Sequence, residues 1–495
     1  MATVENPFRI VIVGGGLVGL TAAHILSKTD IDFVILERHE NLAPEFGSLL
    51  SLWPPTFRIF DQLDLQDALE PVLNPIDRGV TLSADDGSIL LSWDAGDLIK
   101  RNHGYGIKVT HRPLFLEALY QSLPDSAKAR IKVKKHVVKV NVSDDGVVVE
   151  CADGTVERGS IVIGIDGVHS RVRQCMQAME EGRAAPSISE TTKSPYVTTF
   201  RMVFGSIPIP PTLPKNVNHE CASGRVSTQI LTGNSQVWFG VYEALDKPTS
   251  ERIKYTEKDK EDAIQRWGHL YAAPGVRVRD IFGLQNGNFG MINLEEGRVD
   301  KWYWNRIVLV SDAIRKLEPH AGLGYNSGLA DVVVLVNKLR RLLETTRSPD
   351  TKALEALFAD YQEERKRDEP VVHVISMRRA RILAWLSPMD KIITKYLIPY
   401  TNFGEFSTNR IYGPVVSRAP VLDWLEEKSN AKKNVRIPYV HHPMVKGEKS
   451  KNALSRNHSY YSLSIYIGAI IAAALTAVGL QYYHRILTMI GSKAT

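Results

Sequence analysis

Residues 8–19 read FRIVIVGGGLVG, and this stretch decides the fold. An apolar and largely β-branched run, broken only by Arg9, leads directly into a loop of three glycines. An apolar-periodic run from Leu20 to Leu26 then predicts a helix, and a second strand is predicted at Phe33–Leu36. The order of strand, glycine loop, helix and strand predicts a β-α-β unit.

The glycine loop fits G-x-G-x-x-G, a pattern that brings a helix N-terminus to phosphate groups. Gly14 permits the tight turn, Gly16 lets a pyrophosphate approach the backbone, and Gly19 lets the helix pack closely on the strand. Glu37 ends the second strand, where a carboxylate accepts hydrogen bonds from both ribose hydroxyls of an adenosine. The unit therefore predicts a dinucleotide site, and Glu37 disfavours a dinucleotide that carries a 2′-phosphate.

Composition excludes several other classes of protein. The chain has 495 residues, of which 44% are hydrophobic and 23% charged, as expected for a folded protein of enzyme size. Its net charge is +6, but Lys and Arg are spread along the chain rather than clustered, so nucleic-acid binding is not expected. The three cysteines stand far apart without metal-ligand spacing, so neither a disulfide framework nor a metal site is predicted.

The middle and later parts of the chain predict a second sheet and a return to the first. From about Pro186 to Val241 apolar and polar residues alternate, which predicts an antiparallel sheet that binds substrate. A buried strand is predicted again near Ile307, followed by a glycine-rich loop and a helix at Ser327–Leu343. A further helix is predicted from Leu354 to about Arg367, ending before Pro370 because proline interrupts helices.

Two later segments decide between NAD and FAD. Residues 164–173, GIDGVHSRVR, resemble the DGxxSxVR motif of the class A flavoprotein monooxygenases, the para-hydroxybenzoate hydroxylase family. Residues 311–326, SDAIRKLEPHAGLGYN, resemble the second flavin motif of that family, commonly GDAxHxxxPxxGxGxN. Together with the glycine loop, the motifs stand in the family's order, and the resemblance covers roughly residues 8–370.

The resemblance implies FAD as the cofactor and NAD(P)H as a reductant that binds transiently. No second G-x-G-x-x-G follows, so the sequence predicts no separate NAD(P)H-binding domain. In the family the reduced flavin inserts one oxygen atom from O2 into an organic substrate, and Ser170 and Arg173 match positions near FAD and the NADPH approach path. The residues expected to bind the cofactor are Gly14, Gly16, Gly19, Glu37, Gly47, Ser51, Arg112, Asp166, Asp312, Gly324 and Tyr325.

Two residues of the second motif depart from the family pattern. Ser311 replaces a usual glycine, and Arg315 replaces a usual histidine. Arg315 is expected either to add positive charge for the reduced flavin or to be a solvated surface residue. In the predicted substrate sheet, Arg201 is the candidate catalytic residue, which either positions substrate or points to solvent like an ordinary strand arginine.

Residues 301–319, KWYWNRIVLVSDAIRKLEP, are most similar to the fungal branch that epoxidises prenyl or polyene chains in terpenoid and meroterpenoid biosynthesis. The resemblance therefore implies epoxidation or hydroxylation of a small lipophilic substrate with O2. An aromatic-ring hydroxylase of the salicylate-hydroxylase type and a flavin oxidase are the alternative enzymes. A catalytically impaired binding protein is a third alternative, suggested by Ser311 and Arg315.

The C-terminal region contains an uncharged apolar segment, Ser462–Leu480, with tyrosines at both ends. About 20 such residues span a bilayer, so a single-pass transmembrane helix is predicted, with a buried core helix or an amphipathic docking helix as alternatives. Lysines at 446, 449 and 451 precede the segment and no signal peptide is apparent, so the flavin domain is predicted to lie on the cytosolic side. The membrane expected is that of the endoplasmic reticulum.

The sequence thus predicts an α/β fold: a Rossmann-type FAD-binding domain with an inserted antiparallel-sheet substrate domain and a C-terminal transmembrane helix. The predicted boundaries are 1–184 for the first part of the FAD-binding domain, 185–290 for the substrate-binding sheet, 291–400 for the second FAD-binding part with its helices, 401–460 for a linker, 461–481 for the membrane helix and 482–495 for a short tail.

Overall fold

The computed structural model describes residues 7–43, 48–186, 193–283, 289–429 and 434–443, except for the side chains of residues 193, 368 and 369. The strands in chain order are β1 (Arg9–Val13), β2 (Asp32–Leu36), β3 (Leu49–Leu52), β4 (Asn74–Pro75), β5 (Arg78–Ser83), β6 (Ile89–Trp93), β7 (Lys108–His111), β8 (Ile131–Lys132), β9 (Val137–Ser143), β10 (Gly146–Cys151), β11 (Val156–Gly159), β12 (Ile161–Gly164), β13 (Lys193–Pro208), β14 (Val217–Ala222), β15 (Val226–Thr232), β16 (Gln236–Glu251), β17 (Tyr271–Ala273), β18 (Val276–Arg277), β19 (Phe289–Arg298), β20 (Tyr303–Trp304), β21 (Ile307–Leu309) and β22 (Arg315–Lys316).

The α-helices are α1 (Leu17–Leu26), α2 (Pro54–Gln62), α3 (Gln66–Leu69), α4 (Ala95–His103), α5 (Arg112–Gln121), α6 (Asp125–Lys128), α7 (Arg171–Glu180), α8 (Glu257–Trp267), α9 (Val278–Gly283), α10 (Gly324–Thr345), α11 (Thr351–Leu383), α12 (Pro388–Ile392), α13 (Phe403–Ser407) and α14 (Gly413–Ser417). Short 3-10 turns lie at Glu70–Val72, Ser311–Ala313, Pro319–Ala321 and Ile398–Tyr400, and π-helical turns at Ile393–Leu397 and Thr408–Tyr412.

The first sheet has six strands in the order β20-β21-β12-β1-β2-β8. All neighbouring pairs are parallel except β20 with β21. Its central strands are almost entirely buried, because helices cover both faces of a parallel sheet. The carboxyl ends of β1 and β12 lead into the two loops that carry the first two sequence motifs, and β21 leads into the third.

The second sheet has eight mostly antiparallel strands in the order β22-β19-β13-β16-β15-β14-β5-β6. The long strands β13 and β16 form its centre, as the alternating sequence predicts. Strands β5 and β6 come from the first part of the chain, and β5 pairs in parallel with β14. The sheet therefore draws on residues 78–93 as well as on the predicted middle region.

Helix α11 continues through Pro370 and does not end before it, so the prediction for this helix boundary is wrong. A proline inside a helix removes one backbone hydrogen bond and costs about 3 kcal/mol. Both halves of α11 are nevertheless held by packing: Tyr361 is buried in the core of the first sheet, and Val372 and Ile375 are buried in a separate cluster. Tertiary burial on both sides of the proline overrides the local preference.

The stretch after Tyr400, for which the sequence predicts loop and linker, contains the short helices α13 and α14 and then packs onto the nucleotide-binding part. The side-chain amide of Gln62 donates to the carbonyl of Leu422 at 2.7 Å, and the backbone N–H of Leu422 donates back to Gln62 at 3.0 Å. The guanidinium of Arg58 lies 3.8 Å from the ring centre of Tyr439. These contacts tie Leu422 and Tyr439 to α2.

The predicted transmembrane helix needs correction, and with it the single-pass membrane localisation. Across the described ranges, no helix is both long enough and apolar enough to cross a bilayer. The longest of them, α11, has 33 residues but carries charged side chains along its whole length. Residues 461–481, where the sequence predicts the span, lie outside the described residues.

Candidate cofactor and substrate site

A cavity of about 310 Å3 lies between the two sheets. One end is formed by the loops after β1, β12 and β21 together with α1, and the other by the face of the second sheet. Parallel α/β sheets bind ligands outside the carboxyl ends of their strands, and the first end of the cavity has this position. The residues of all three sequence motifs meet there.

The glycine loop has the close packing that the sequence predicts. Gly14 adopts φ +115°, and a β-carbon there would lie 2.5 Å from the carbonyl oxygen of Ile165. A β-carbon on Gly19 would lie 2.1 Å from the carbonyl oxygen of Gly14, so α1 packs on β1 only because residue 19 is glycine. A β-carbon on Gly16 would meet no atom within 4 Å, because Gly16 faces the cavity.

Glu37 lies at the end of β2 with its carboxylate turned to the glycine loop. One oxygen accepts a hydrogen bond from the backbone N–H of Gly15 at 2.7 Å, and the other accepts from the N–H of His39 at 2.8 Å. Each carboxylate oxygen can accept further hydrogen bonds. Glu37 is therefore fixed beside the loop in an orientation that leaves acceptor capacity for ribose hydroxyls.

The 164–173 segment forms the turn from β12 into α7. Asp166 accepts hydrogen bonds from the backbone N–H groups of Arg171 and Val172 at 2.6 and 3.1 Å, and Ser170 caps the helix by accepting from the N–H of Arg173. The buried guanidinium of Arg173 donates to the carbonyl of Ala313 at 2.7 Å. The segment thus connects the second motif to the third.

Asp312 lines the cavity in the 3-10 turn after β21. Its carboxylate accepts a hydrogen bond from Nζ of Lys316 at 2.7 Å, and its backbone carbonyl accepts from the hydroxyl of Tyr196 at 2.9 Å. Ser311, which replaces the family's glycine, has φ +62°. This left-handed conformation explains why glycine is usual there, and the serine adopts it while its N–H donates to the buried Asp331 at 3.0 Å.

The loop from Pro319 to α10 packs on strand β3. Gly322 adopts φ +63°, and a β-carbon there would lie 2.5 Å from that of Ser51. The amide of Asn326 donates to the carbonyl of Ser51 at 2.9 Å. Gly324 lines the cavity with open space beside it, whereas the hydroxyl of Tyr325 is buried against Thr21 at 2.8 Å, so burial raises the pKa of Tyr325.

Arg112 begins α5 and lines the same end of the cavity. Gly47 lies outside the described residues. The structure therefore brings Gly16, Gly19, Ser51, Arg112, Asp312, Gly324 and Tyr325 to the cavity wall, with Gly14, Glu37 and Asp166 in the loops that support it.

Arg315 has neither of the two positions expected from the sequence, because it is almost fully buried. Its guanidinium forms an ion pair with Asp331 at 2.8 Å and donates to the hydroxyl of Ser327 at 2.6 Å. Arg365 of α11 pairs with the same carboxylate at 2.8 Å. Arg315 thus joins β22 to α10 and α11 instead of facing flavin or solvent.

Arg201 lies on the face of β13 that points away from the cavity. Successive strand residues point to opposite faces, and Met202 and Phe204 line the cavity. Arg201 instead pairs with Glu243 at 2.7 Å and lies beside Trp267 of α8. The structure does not bring the predicted catalytic residue to the site, since the strand register places it on the other side of the sheet.

Sequence reasoning missed the residues that form the other end of the cavity, on the face of the second sheet. These are Met202, Phe204, Gln229, Leu231, Trp238 and Tyr242 on the second sheet, with His320 from the third motif. Alternation along β13, β15 and β16 predicts two faces, but it does not say which face meets the cofactor loops. Among these residues, only His320 could have been predicted from the sequence, because it lies within the third motif.

The residues at the first end fit a dinucleotide such as FAD. Gly16 is the N-cap of helix α1 and no side chain caps this end of the helix, so its first N–H groups are open to an anion at the cavity wall. The open space at Gly16 and Gly324 allows a ligand to approach the backbone at both loops. Arg112 and Lys316 add positive charge on the same side.

Comparisons with known proteins agree with this geometry. Residues 8–369 match the family model described as FAD binding domain. The chain is 35% identical over 371 residues to the FAD-dependent monooxygenase srdH of Neurospora crassa, covering 72% of this chain and 82% of that protein. It is 30% identical to the FAD-dependent monooxygenase ausM of Penicillium brasilianum, covering 81% and 84%.

Solved structures show the same fold at low sequence identity. A Klebsiella pneumoniae HpxO structure complexed with FAD and uric acid has a TM-score of 0.68 at 16% identity, covering 83% of this chain and 97% of that chain. A salicylate hydroxylase substrate complex has a TM-score of 0.63 at 18% identity, covering 83% and 98%. The sequence matches confirm the predicted cofactor and class of enzyme: the chain belongs to the FAD binding domain family and is an FAD-dependent monooxygenase.

Proposed function

We propose that the enzyme uses NAD(P)H and O2 to epoxidise or hydroxylate a lipophilic, electron-rich secondary-metabolite intermediate of the terpenoid, meroterpenoid or polyene class. Bound FAD supplies the electron transfer and oxygen activation. The chain's own residues bind the substrate against the cofactor loops and exclude water from the space between them.

The composition of the sheet wall carries this proposal. Met202, Phe204, Leu231 and Trp238 present apolar side chains to the cavity opposite the cofactor loops. Ligand sites are mostly apolar surfaces with a few polar groups that orient the ligand, and this wall has that composition. An isoprenoid or polyene chain would replace water along the whole wall.

The distribution of charge favours this substrate class over a small aromatic acid. Among the described residues that line the cavity, the permanent cations are Arg112 and Lys316, and both lie at the cofactor end. Lys316 is also paired with Asp312. A carboxylate on a substrate of the salicylate type would meet the apolar wall without a cationic partner, and burying an unpaired charge costs several kcal/mol.

The test is product analysis under 18O2. The purified FAD-loaded enzyme is supplied with NADPH and, in separate reactions, with a prenylated phenol, a linear polyene and salicylate. We expect one 18O atom in the product of an isoprenoid or polyene substrate. Labelled product from salicylate alone would support the aromatic-ring hydroxylase instead. Substrate oxidation without label, accompanied by stoichiometric H2O2, would show a flavin oxidase.

Roles for the individual residues are part of the same proposal. Residues 1–184 and 291–400 would form the FAD-binding part, and residues 185–290 most of the substrate part. The residues assigned to FAD are Gly14, Gly16, Gly19, Glu37, Ser51, Arg112, Asp166, Asp312, Gly324 and Tyr325. This assignment is supported by their positions, because they line the first end of the cavity or hold in place the loops that line it.

A further inference from the structure

Gln229 places a buried amide on the cavity face of the second sheet. It lies in the middle of β15, is 9% exposed, and lines the cavity together with Leu231. Successive residues of a strand point to opposite faces, so Gln229 and Leu231 share the face that forms the cavity wall. A side-chain amide has an acceptor oxygen and two N–H donors, and buried groups of this kind normally have hydrogen-bond partners.

The oxygen end of this amide already has its partner. The hydroxyl of Tyr242, on the neighbouring strand β16, donates to Oε1 of Gln229 at 2.9 Å. Burial raises the pKa of Tyr242, so its hydroxyl keeps the proton that it donates. A β-carbon on Gly240 would lie 2.9 Å from the ring of Tyr242. The glycine therefore lets the tyrosine ring lie close to the sheet, where its hydroxyl reaches Gln229.

The nitrogen end of the amide has one partner for its two hydrogens. Nε2 of Gln229 donates to the side-chain oxygen of Asn218, on β14, at 3.3 Å. Within the described ranges, the second hydrogen has no acceptor. A buried donor without a partner is unfavourable, and a ligand in the cavity can supply the missing acceptor. The free N–H of Gln229 therefore indicates a place for an oxygen atom of the substrate.

The charge around Gln229 favours a neutral oxygen. Glu220 faces Gln229 directly in the register of β14 with β15, and its ion pair with Arg379 leaves no excess positive charge there. In the described cavity lining, the permanent cations are Arg112 and Lys316, at the cofactor end. A carboxylate beside Gln229 would therefore be buried without a charged partner, which is unfavourable.

A carbonyl fits this donor better than a hydroxyl does. A hydroxyl would bring a proton that itself needs an acceptor. The oxygen of Gln229 already accepts from Tyr242, and Nε2 of the buried His320 is engaged by the hydroxyl of Ser227 at 3.0 Å. A carbonyl oxygen only accepts, so it can bind to Gln229 without leaving a proton unpaired.

We propose that the free N–H of Gln229 binds a carbonyl oxygen of the substrate, so that the substrate is a lipophilic ketone, ester or lactone. The apolar residues of the sheet wall would receive its hydrocarbon part. This inference rests on the proposed function and adds a carbonyl group to the substrate class.

The test uses geranylacetone labelled with 13C at its carbonyl, bound to the oxidised, FAD-loaded enzyme without NADPH. Isotope-edited infrared spectroscopy locates the carbonyl band, which a hydrogen bond moves to lower wavenumber. Tyr242→Phe keeps the amide of Gln229. Tyr242→Phe combined with Gln229→Met removes the amide without leaving the tyrosine hydroxyl unpaired. We expect the band at low wavenumber in the wild-type enzyme and in Tyr242→Phe, and at higher wavenumber in the double variant.

Affinity gives a second measurement, by titration followed through the flavin absorbance. The reference ligand is the hydrocarbon in which a CH2 group replaces the carbonyl of geranylacetone. Between Tyr242→Phe and the double variant, the ketone should lose about tenfold in affinity, the effect of one hydrogen bond of about 1.4 kcal/mol, and the hydrocarbon should lose none. Gln236→Met makes the same change at an exposed glutamine outside the cavity wall and should alter neither affinity.

Three results overturn the proposal: the wild-type enzyme does not bind geranylacetone, the carbonyl band is the same in the folded double variant as in Tyr242→Phe, or the ketone loses no more affinity than the hydrocarbon. A carbonyl that meets only water would leave the band unchanged. Binding with the expected band but without 18O transfer would contradict only the proposed reaction. Transfer of 18O without the difference between the bands would contradict only the role of Gln229.

Discussion

At the scale of single residues, Glu37 is the side chain that we propose binds the ribose of the nucleotide. Its removal takes away the hydrogen bonds that it accepts from the N–H groups of Gly15 and His39, as well as the proposed acceptor for ribose hydroxyls. Glu37→Ala should weaken FAD binding by about 1.5–3 kcal/mol, the range for hydrogen bonds to charged groups, or roughly 10- to 150-fold. Fluorescence titration of the apoprotein with FAD measures the change.

Glu40 provides the matched control for this substitution. It is an exposed carboxylate three residues further on, paired with Lys134 on the surface. Glu40→Ala should bind FAD like the wild-type enzyme. If Glu37→Ala retains full FAD at low flavin concentration, the assignment of Glu37 to the ribose is wrong.

Asp312 and Arg315 are three residues apart, yet the structure gives them different tasks. Asp312→Ala removes a carboxylate from the cavity wall and should lower FAD affinity with little change in the stability of the apoprotein. Arg315→Ala removes one of two cationic partners from the buried Asp331 and should cost about 3 kcal/mol of folding stability. Denaturant unfolding and flavin content, measured on both variants, would separate the two effects. Equal loss of flavin at unchanged stability in both would contradict this division.

At the scale of elements, local sequence predicted the parts of the site that local geometry fixes. Gly14, Gly16 and Gly19 could be assigned because a tight turn and a close helix approach require glycine at those positions. Arg201 could not, since the side of a sheet that faces a cofactor depends on how two distant sheets meet. His320 lay inside a recognised motif, but its partners Ser227 and Tyr242 come from strands about 80–90 residues earlier in the chain.

The continuity of helix α11 also depends on residues distant in the sequence. The proline rule placed the helix end before Pro370, whereas packing of residues far away in the sequence keeps the helix continuous. Pro370→Ala restores a backbone N–H to a helix that is already formed, and should stabilise the protein by roughly 1–3 kcal/mol. Urea unfolding measures this gain.

The control for Pro370→Ala is Pro388→Ala. Pro388 occupies the first turn of α12, where its missing N–H would have no partner within the helix. Little or no gain is expected there. A loss of stability in Pro370→Ala would show that α11 uses the proline to adopt a bend on which its packing depends.

At the scale of the whole molecule, buried imidazoles link folding to pH. His103 and His219 are each about 1% exposed, and burial lowers the pKa of each to about 4. In the unfolded chain both would titrate near 6.5. Between these values the unfolded chain binds more protons than the folded protein, so acidification favours unfolding. Above pH 6.5 both states are neutral and the effect is absent.

The free energy of unfolding should therefore fall as the pH is lowered from 6.5 towards 4, by up to about 1.4 kcal/mol per pH unit for each imidazole. Buried Asp423, whose pKa is raised, acts in the opposite direction, so the whole curve does not isolate the histidines. His219→Phe removes one titrating imidazole. It should therefore reduce the slope of the free energy of unfolding against pH by the contribution of that one group. The exposed control His39→Gln should leave it unchanged. Urea unfolding at pH 4.5, 5.5, 6.5 and 7.5 measures these slopes, and equal slopes for His219→Phe and the wild-type enzyme would show that His219 is protonated in the folded protein.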